Sequence, residues 1–266
     1  MGRARERPAG PHCRAMPTRR PTRRPPGPPR VTPPALPPPV RRSGGVRPPR
    51  LVPFRSGGCM TRPELSIDPA RTALVIIECQ NGVVGPDSRM PDLVAAAKPV
   101  LPEIGRLARA ARAAGAQVVH LTYVPALDNR SSNRNTPLLR AIADSQADWT
   151  ADHPAVQVVE EIGVGEGDLV LPRHTGVSPT HGTELASLLR NAGVTTVVLA
   201  GVSLNVALPV TSAELADEGF RIVIAREAVA GTPVEHGESI LRHTLRMLAT
   251  LTTTDALITA LDRSTS

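Results

Sequence analysis

The segment Ala73-Leu74-Val75-Ile76-Ile77, followed by Glu78-Cys79-Gln80-Asn81, constrains the fold of this chain more than any other. Five residues in a row carry no polar side chain and three of them are β-branched. That pattern suits a central strand of a parallel sheet covered on both faces. The run then stops on a carboxylate, a thiol and two amides. In open parallel α/β sheets ligands bind beyond the carboxyl ends of the strands, so Glu78 is expected at the floor of a site.

Apolar runs and amphipathic stretches alternate through the rest of the chain. Strands are expected at 73–78, 117–123, 168–172, 195–201, 221–225 and 251–253, with helices at 92–114, 181–191, 205–218, 234–248 and 255–261. This alternation calls for right-handed crossovers and an α/β fold with a doubly wound parallel sheet, helices lying on both faces. The connection from about 124 to 167 is too long for a plain loop. Within it, Thr136-Pro137-Leu138-Leu139 reads as the start of a helix, with Thr136 as cap and Pro137 in the first position. It is expected to stand beside the site as a lid or flank.

Residues 1–60 are of another kind. They hold 16 of the 29 prolines and 14 arginines against one acid, Glu6, a balance of +13 in a chain whose total is +7, which leaves −6 for residues 61–266. So Arg- and Pro-rich a stretch has too little apolar material to offset the entropy of ordering, and it is expected to be a disordered tail. A second reading makes it an upstream extension, with Met60 as the natural start. The tail's charge can attract nucleic acid, but it lacks the interleaved aromatics of a stacking platform, so no nucleic-acid partner is expected. No apolar core of signal-peptide length follows its arginine pairs, and no run reaches the length of a membrane span, so no membrane association is expected. Cys13 and Cys59 lie in the tail and Cys79 at a strand end, which argues against disulfides and fits a cytoplasmic setting.

Four strand ends carry candidate chemistry. The first supplies Glu78, Gln80 and Asn81; the second Tyr123, with Asp128, Arg130 and Arg134 in the long connection; the third Arg173 and His174. The fourth supplies Gly201-Val202-Ser203-Leu204-Asn205, a turn into a helix whose free amides can hold an anion or a carbonyl oxygen.

Three stretches of this sequence together resemble the isochorismatase-like cysteine hydrolases, over roughly residues 65–262. They are Glu78-Cys79-Gln80-Asn81, then His174-Thr175-Gly176-Val177-Ser178 continuing to Gly182-Thr183, then Gly201-Val202-Ser203-Leu204-Asn205-Val206-Ala207 continuing to Thr211-Ser212. The resemblance implies a Rossmann-like three-layer sandwich with a sheet of six parallel strands, a small-molecule substrate and a homo-oligomer. It further implies an aspartate, a lysine and a cysteine as the catalytic set. Aligned by motif, those positions here are Glu78, His174 and Ala207. Alanine has no nucleophile, and the only lysine of the chain, Lys98, is far from any strand end.

Without the thiol an acyl-enzyme route is closed. What remains is general acid/base catalysis, with Glu78 as acid or base and His174 assisting. Arg173 is a fork for a substrate anion, while Gln80, Asn81, Tyr123, Val202, Ser203 and Asn205 are the further binding candidates. Cys79 neighbours Glu78, but successive strand residues face opposite ways, which marks it as a core cysteine. The resemblance also implies a cis peptide at Val202-Ser203. The loop after the second strand offers no histidine pair, so neither a metal nor a cofactor is expected. The competing reading is a catalytically silent homologue that binds a metabolite or a protein partner.

Overall fold

The computed structural model describes residues 65–125, 132–145 and 149–263. The expected tail lies outside the described residues, as do Cys13, Cys59, Asp128 and Arg130. Six strands form one sheet: β1 (Thr72–Ile77), β2 (Gln117–Tyr123), β3 (Leu169–Arg173), β4 (Thr196–Val202), β5 (Arg221–Ala230) and β6 (Thr250–Thr252). Their order is β3-β2-β1-β4-β5-β6 and every pairing is parallel.

The helices are α1 (Asn81–Val84), α2 (Pro91–Ala97), α3 (Leu101–Ala113), α4 (Pro137–Ser145), α5 (Leu185–Asn191), α6 (Ala207–Asp217), α7 (Val234–Ile240), α8 (Arg246–Leu248) and α9 (Thr254–Arg263). The single helix expected over 92–114 is two. Pro99 lacks an N–H and its ring clashes with the preceding turn, so the chain breaks between α2 and α3. The helix expected from His181 begins only at Leu185. The chain before it is held as a turn by Ser178, whose Oγ accepts from the N–H groups of Thr180 (3.2 Å) and His181 (3.0 Å). The stretch 234–248 is helical throughout, but a π turn at Leu241–Leu245 separates α7 from α8. Thr136 caps α4 as expected, its Oγ1 accepting from Leu139 N at 3.2 Å.

All six residues of β1 are buried, and they divide between two cores. Leu74 and Ile76 pack with Leu93 of α2, Ile104 and Leu107 of α3 and Leu257 of α9. Ala73, Val75 and Ile77 pack with Leu185 and Leu189 of α5, Leu208 of α6 and Leu245 of the π turn. Each large aliphatic side chain so buried contributes roughly 1.5–3 kcal/mol, which is why β1 is apolar from Ala73 to Ile77.

The strand order fixes where a ligand can bind. The chain winds outward from β1 to β3 and then returns to place β4 against the other side of β1. Connections from β1 and β4 therefore leave toward opposite faces, and a crevice opens between them at the carboxyl ends. Gly201 permits the close approach there: its φ is +106°, and a Cβ would collide with the carbonyl oxygen of Ile77.

Candidate functional site

Glu78 stands one residue beyond β1 with φ +53°, a left-handed conformation that costs an L-residue other than glycine roughly 1–2 kcal/mol. Its N–H still donates to Leu121 O of β2 at 2.8 Å, so the backbone remains tied to the sheet. The turn breaks the strand's alternation. Cys79, instead of Glu78, joins the core containing Leu74 and Ile76, and the carboxylate is released toward the crevice.

Arg173, the last residue of β3, meets that carboxylate. It lies in register with Tyr123 of β2, and its guanidinium sits over the Tyr123 ring, 4.3 Å from the centroid. Nε donates to Glu78 Oε1 at 3.1 Å and Nη2 donates to the same oxygen. Nη1 donates to the carbonyl of Gly176 at 2.6 Å and to that of Thr175 at 3.4 Å. The side chains of Arg173 and Glu78 are 6% and 15% exposed. The fork is thus committed to Glu78 and to its own loop. Burial pushes the Tyr123 phenol up, and the adjoining Arg173 charge opposes that.

The other residues singled out in the sequence divide by what they touch. His174 is exposed, with Nδ1 2.8 Å from Val124 O, and Arg173 is the cation that reaches Glu78. Gln80 is buried and spent on backbone: Nε2 donates to Tyr123 O (2.9 Å) and Ala155 O (3.2 Å), and Oε1 accepts from Tyr123 N (2.7 Å). Asn81 donates to Pro154 O at 3.1 Å. These two amides hold the β1 loop against the segment near 155 and so fix where Glu78 can stand. Asn205 closes a loop with Thr232, accepting from its N–H at 3.0 Å and donating to its carbonyl at 2.6 Å. Arg134 pairs with Asp144 at the surface.

Val202, Ser203, Asn205 and Ala207 line the same cavity as Glu78, Tyr123 and Arg173. The peptide Val202-Ser203 is cis. Ala207 is the first residue of α6, and Leu208 N donates to Ser203 O at 3.0 Å. Among the described residues no backbone acceptor takes the N–H groups of Asn205, Val206 and Ala207. The Cys79 thiol is fully buried, 3.5 Å from Ile77 O. Burial raises its pKa far above the ordinary thiol value and the Glu78 charge adds to that. Buried thiols of this kind are ordinarily inert. Among the described residues no group of three His, Cys, Asp or Glu side chains is placed to hold a metal ion.

The cavity measures about 590 Å³, within the range usual for small-molecule sites. Its floor is the set of strand ends just described. Its wall comes from α1, the α1–α2 loop, α4 and Trp149. The sequence places the α4 helix beside the site but does not single out its lining residues. A signal for them existed: Leu138, Ala141, Ile142 and Ser145 recur at the spacing of one helical face.

Comparison with known proteins agrees with this geometry. A profile of the isochorismatase domain matches residues 72–256. The chain is 28% identical over 195 residues to the isochorismatase family protein YwoC of Bacillus subtilis, covering 73% of this chain and 96% of that protein. It is 32% identical over 173 residues to ureidoacrylate amidohydrolase RutB of Serratia proteamaculans, covering 56% of this chain and 66% of that one. The fold superposes on the crystal structure of a cysteine hydrolase from Pseudomonas syringae pv. phaseolicola with a TM-score of 0.67 at 21% identity, covering 77% of this chain and all of that one. Since the matched domain spans most of the sequence and its strand ends build the cavity, the chain belongs to the isochorismatase family.

Proposed function

We propose that this protein is a hydrolase of a small metabolite that works by general base catalysis at Glu78, without a covalent intermediate. One observation carries the reading. Glu78 is held by Arg173 in an open cavity, facing a turn whose free amides surround Ala207, where a nucleophile is absent. With no thiol there, water is the attacking group. Glu78 takes a proton from that water as its oxygen bonds to the acyl carbon. The amides of Val206 and Ala207 receive the charge that develops on the carbonyl oxygen. The bond to the leaving group then breaks as the proton passes to it from Glu78. The amidohydrolase activity named for the Serratia relative makes amides and esters the first substrates to try. Vinyl ethers, which a protonated carboxyl can cleave by acid catalysis, are the next.

Arg173 positions Glu78, so a substrate anion falls to Arg89, which lines the rim and has no ion pair among the described residues. The protein is further proposed to act in the cytoplasm as a homo-oligomer, with a folded domain from about residue 61. A silent metabolite-binding homologue is the second reading, favoured by Ala207 and by the engagement of Arg173. Turnover of the full chain on panels of amides, esters and vinyl ethers separates the two. Hydrolysis of one class, lost in Glu78→Gln, supports the enzyme. No turnover on any panel, beside ligands that raise the melting temperature of both proteins equally, contradicts it.

A further inference from the structure

Helix α4 presents two apolar faces. Leu139 and Ala143 are buried against the protein, whereas Leu138, Ala141 and Ile142 face the cavity and keep accessible surface, Leu138 being 45% exposed. Across from them Met90, 40% exposed, belongs to the same cavity. An exposed large apolar side chain is ordinary when single; two of them flanking one concave site mark surface that a ligand covers. Trp149 completes the wall. Its ring packs so closely on Gly82 that a Cβ there would collide with it, so α1 holds the indole in place. The floor, by contrast, is where the polar groups of Glu78, Arg173 and Ser203 converge.

We infer that the substrate is amphipathic: its scissile group lies at Glu78, and an alkyl or aryl body lies along the α4 stripe against Trp149. Leu138, Ala141 and Ile142 set the size of that body. The inference rests on the hydrolase reading for the identity of the scissile end, but the apolar subsite can be tested without turnover. Trp149 is the only tryptophan in the chain, so its fluorescence reports occupancy of this cavity alone.

The test titrates the full chain with straight-chain alkanols from butanol to nonanol, which cannot be hydrolysed, and follows Trp149 emission. Burial of about 0.8 kcal/mol per methylene predicts affinity rising about fourfold with each carbon until the wall is filled. Ala141→Leu, which narrows the stripe, is expected to end the rise several carbons earlier. Affinity independent of chain length, or an emission spectrum that no alkanol moves, overturns the inference even if small esters or amides are hydrolysed. A chain-length series that Ala141→Leu does not shorten also overturns it. A steep series in a protein that hydrolyses nothing upholds the apolar subsite and contradicts the hydrolase reading instead.

Discussion

Two partly buried carboxylates of this molecule do opposite things. Asp168, just before β3, accepts from Arg112 Nη2 (2.7 Å) and Nε (3.1 Å), from the Gly165 N–H (2.9 Å), and pairs with His120 Nε2 (2.9 Å). Both of its oxygens are taken. Glu78, beyond the other end of the strands, meets one guanidinium through one oxygen and otherwise borders open space. Asp168 sits in ordinary backbone, whereas Glu78 sits in a left-handed turn. A satisfied buried charge fixes the fold; an incompletely satisfied one in strained backbone, beside a cavity, is the kind that acts on something else.

The comparison breaks most readily at Glu78 itself. Glu78→Gln keeps the shape of the side chain and removes the base, so turnover on any accepted substrate is expected to fall about 10²- to 10⁴-fold. Its urea midpoint should move far less than that of an Asp168 variant. Asp168→Ala takes the counterion from the half-buried Arg112 and the acceptor from His120 Nε2 and the Gly165 N–H, which is expected to cost roughly 1–3 kcal/mol of stability, measured by urea unfolding. The kcat of the fraction that remains folded should stay near that of the unmutated protein.

The same cluster gives a pH signature. His120 is buried, and burial lowers its pKa although its hydrogen bond to Asp168 and the Asp168 charge oppose that; its Nδ1 has no partner among the described residues. The folded state therefore resists protonation. Its stability contribution is complete above the ordinary histidine value near 6.5 and is lost as pH falls from there through the lowered folded value, at up to about 1.4 kcal/mol per pH unit. Burial pushes the Asp168 pKa up, but hydrogen bonds from Arg112, Gly165 and His120 outweigh it and hold the carboxyl below its ordinary 3.8, so a second loss begins only below that pH. Unfolding midpoints should fall as pH drops from about 6.5 to 5, and the fall should flatten in His120→Gln. The smallest effect belongs to Cys79→Ala: a core methyl-sized change with stability lowered by about 1 kcal/mol and kcat unaltered.

The sheet could be read from sequence because its central strands are apolar runs long enough to be buried on both faces, as in Ala73–Ile77 and Val197–Val202. The break at Pro99 was equally visible, yet the apolar spacing from Leu93 to Ala111 spans it, and period alone does not report a missing hydrogen bond. The site was only partly readable. Motif alignment puts His174 where the family has lysine, but strand alternation decides which side chain enters: Arg173 shares the inward face of β3 with Leu169 and Leu171, and His174 falls outside. The left-handed turn at Glu78 has no mark in the sequence. The α4 part of the wall is readable, as a helix with an apolar face beside the site, whereas the packing that sets Trp149 against Gly82 is tertiary and has no mark.

The direct test of a base that activates water is where the oxygen goes. A single turnover of excess protein on an accepted ester or amide in H₂¹⁸O, followed by mass spectrometry of the acid product and of the peptide holding Glu78 and Cys79, separates the routes. The account predicts label in the product and none in the protein, with no adduct at either residue. Label in Glu78, or an acyl group on Cys79, would contradict it.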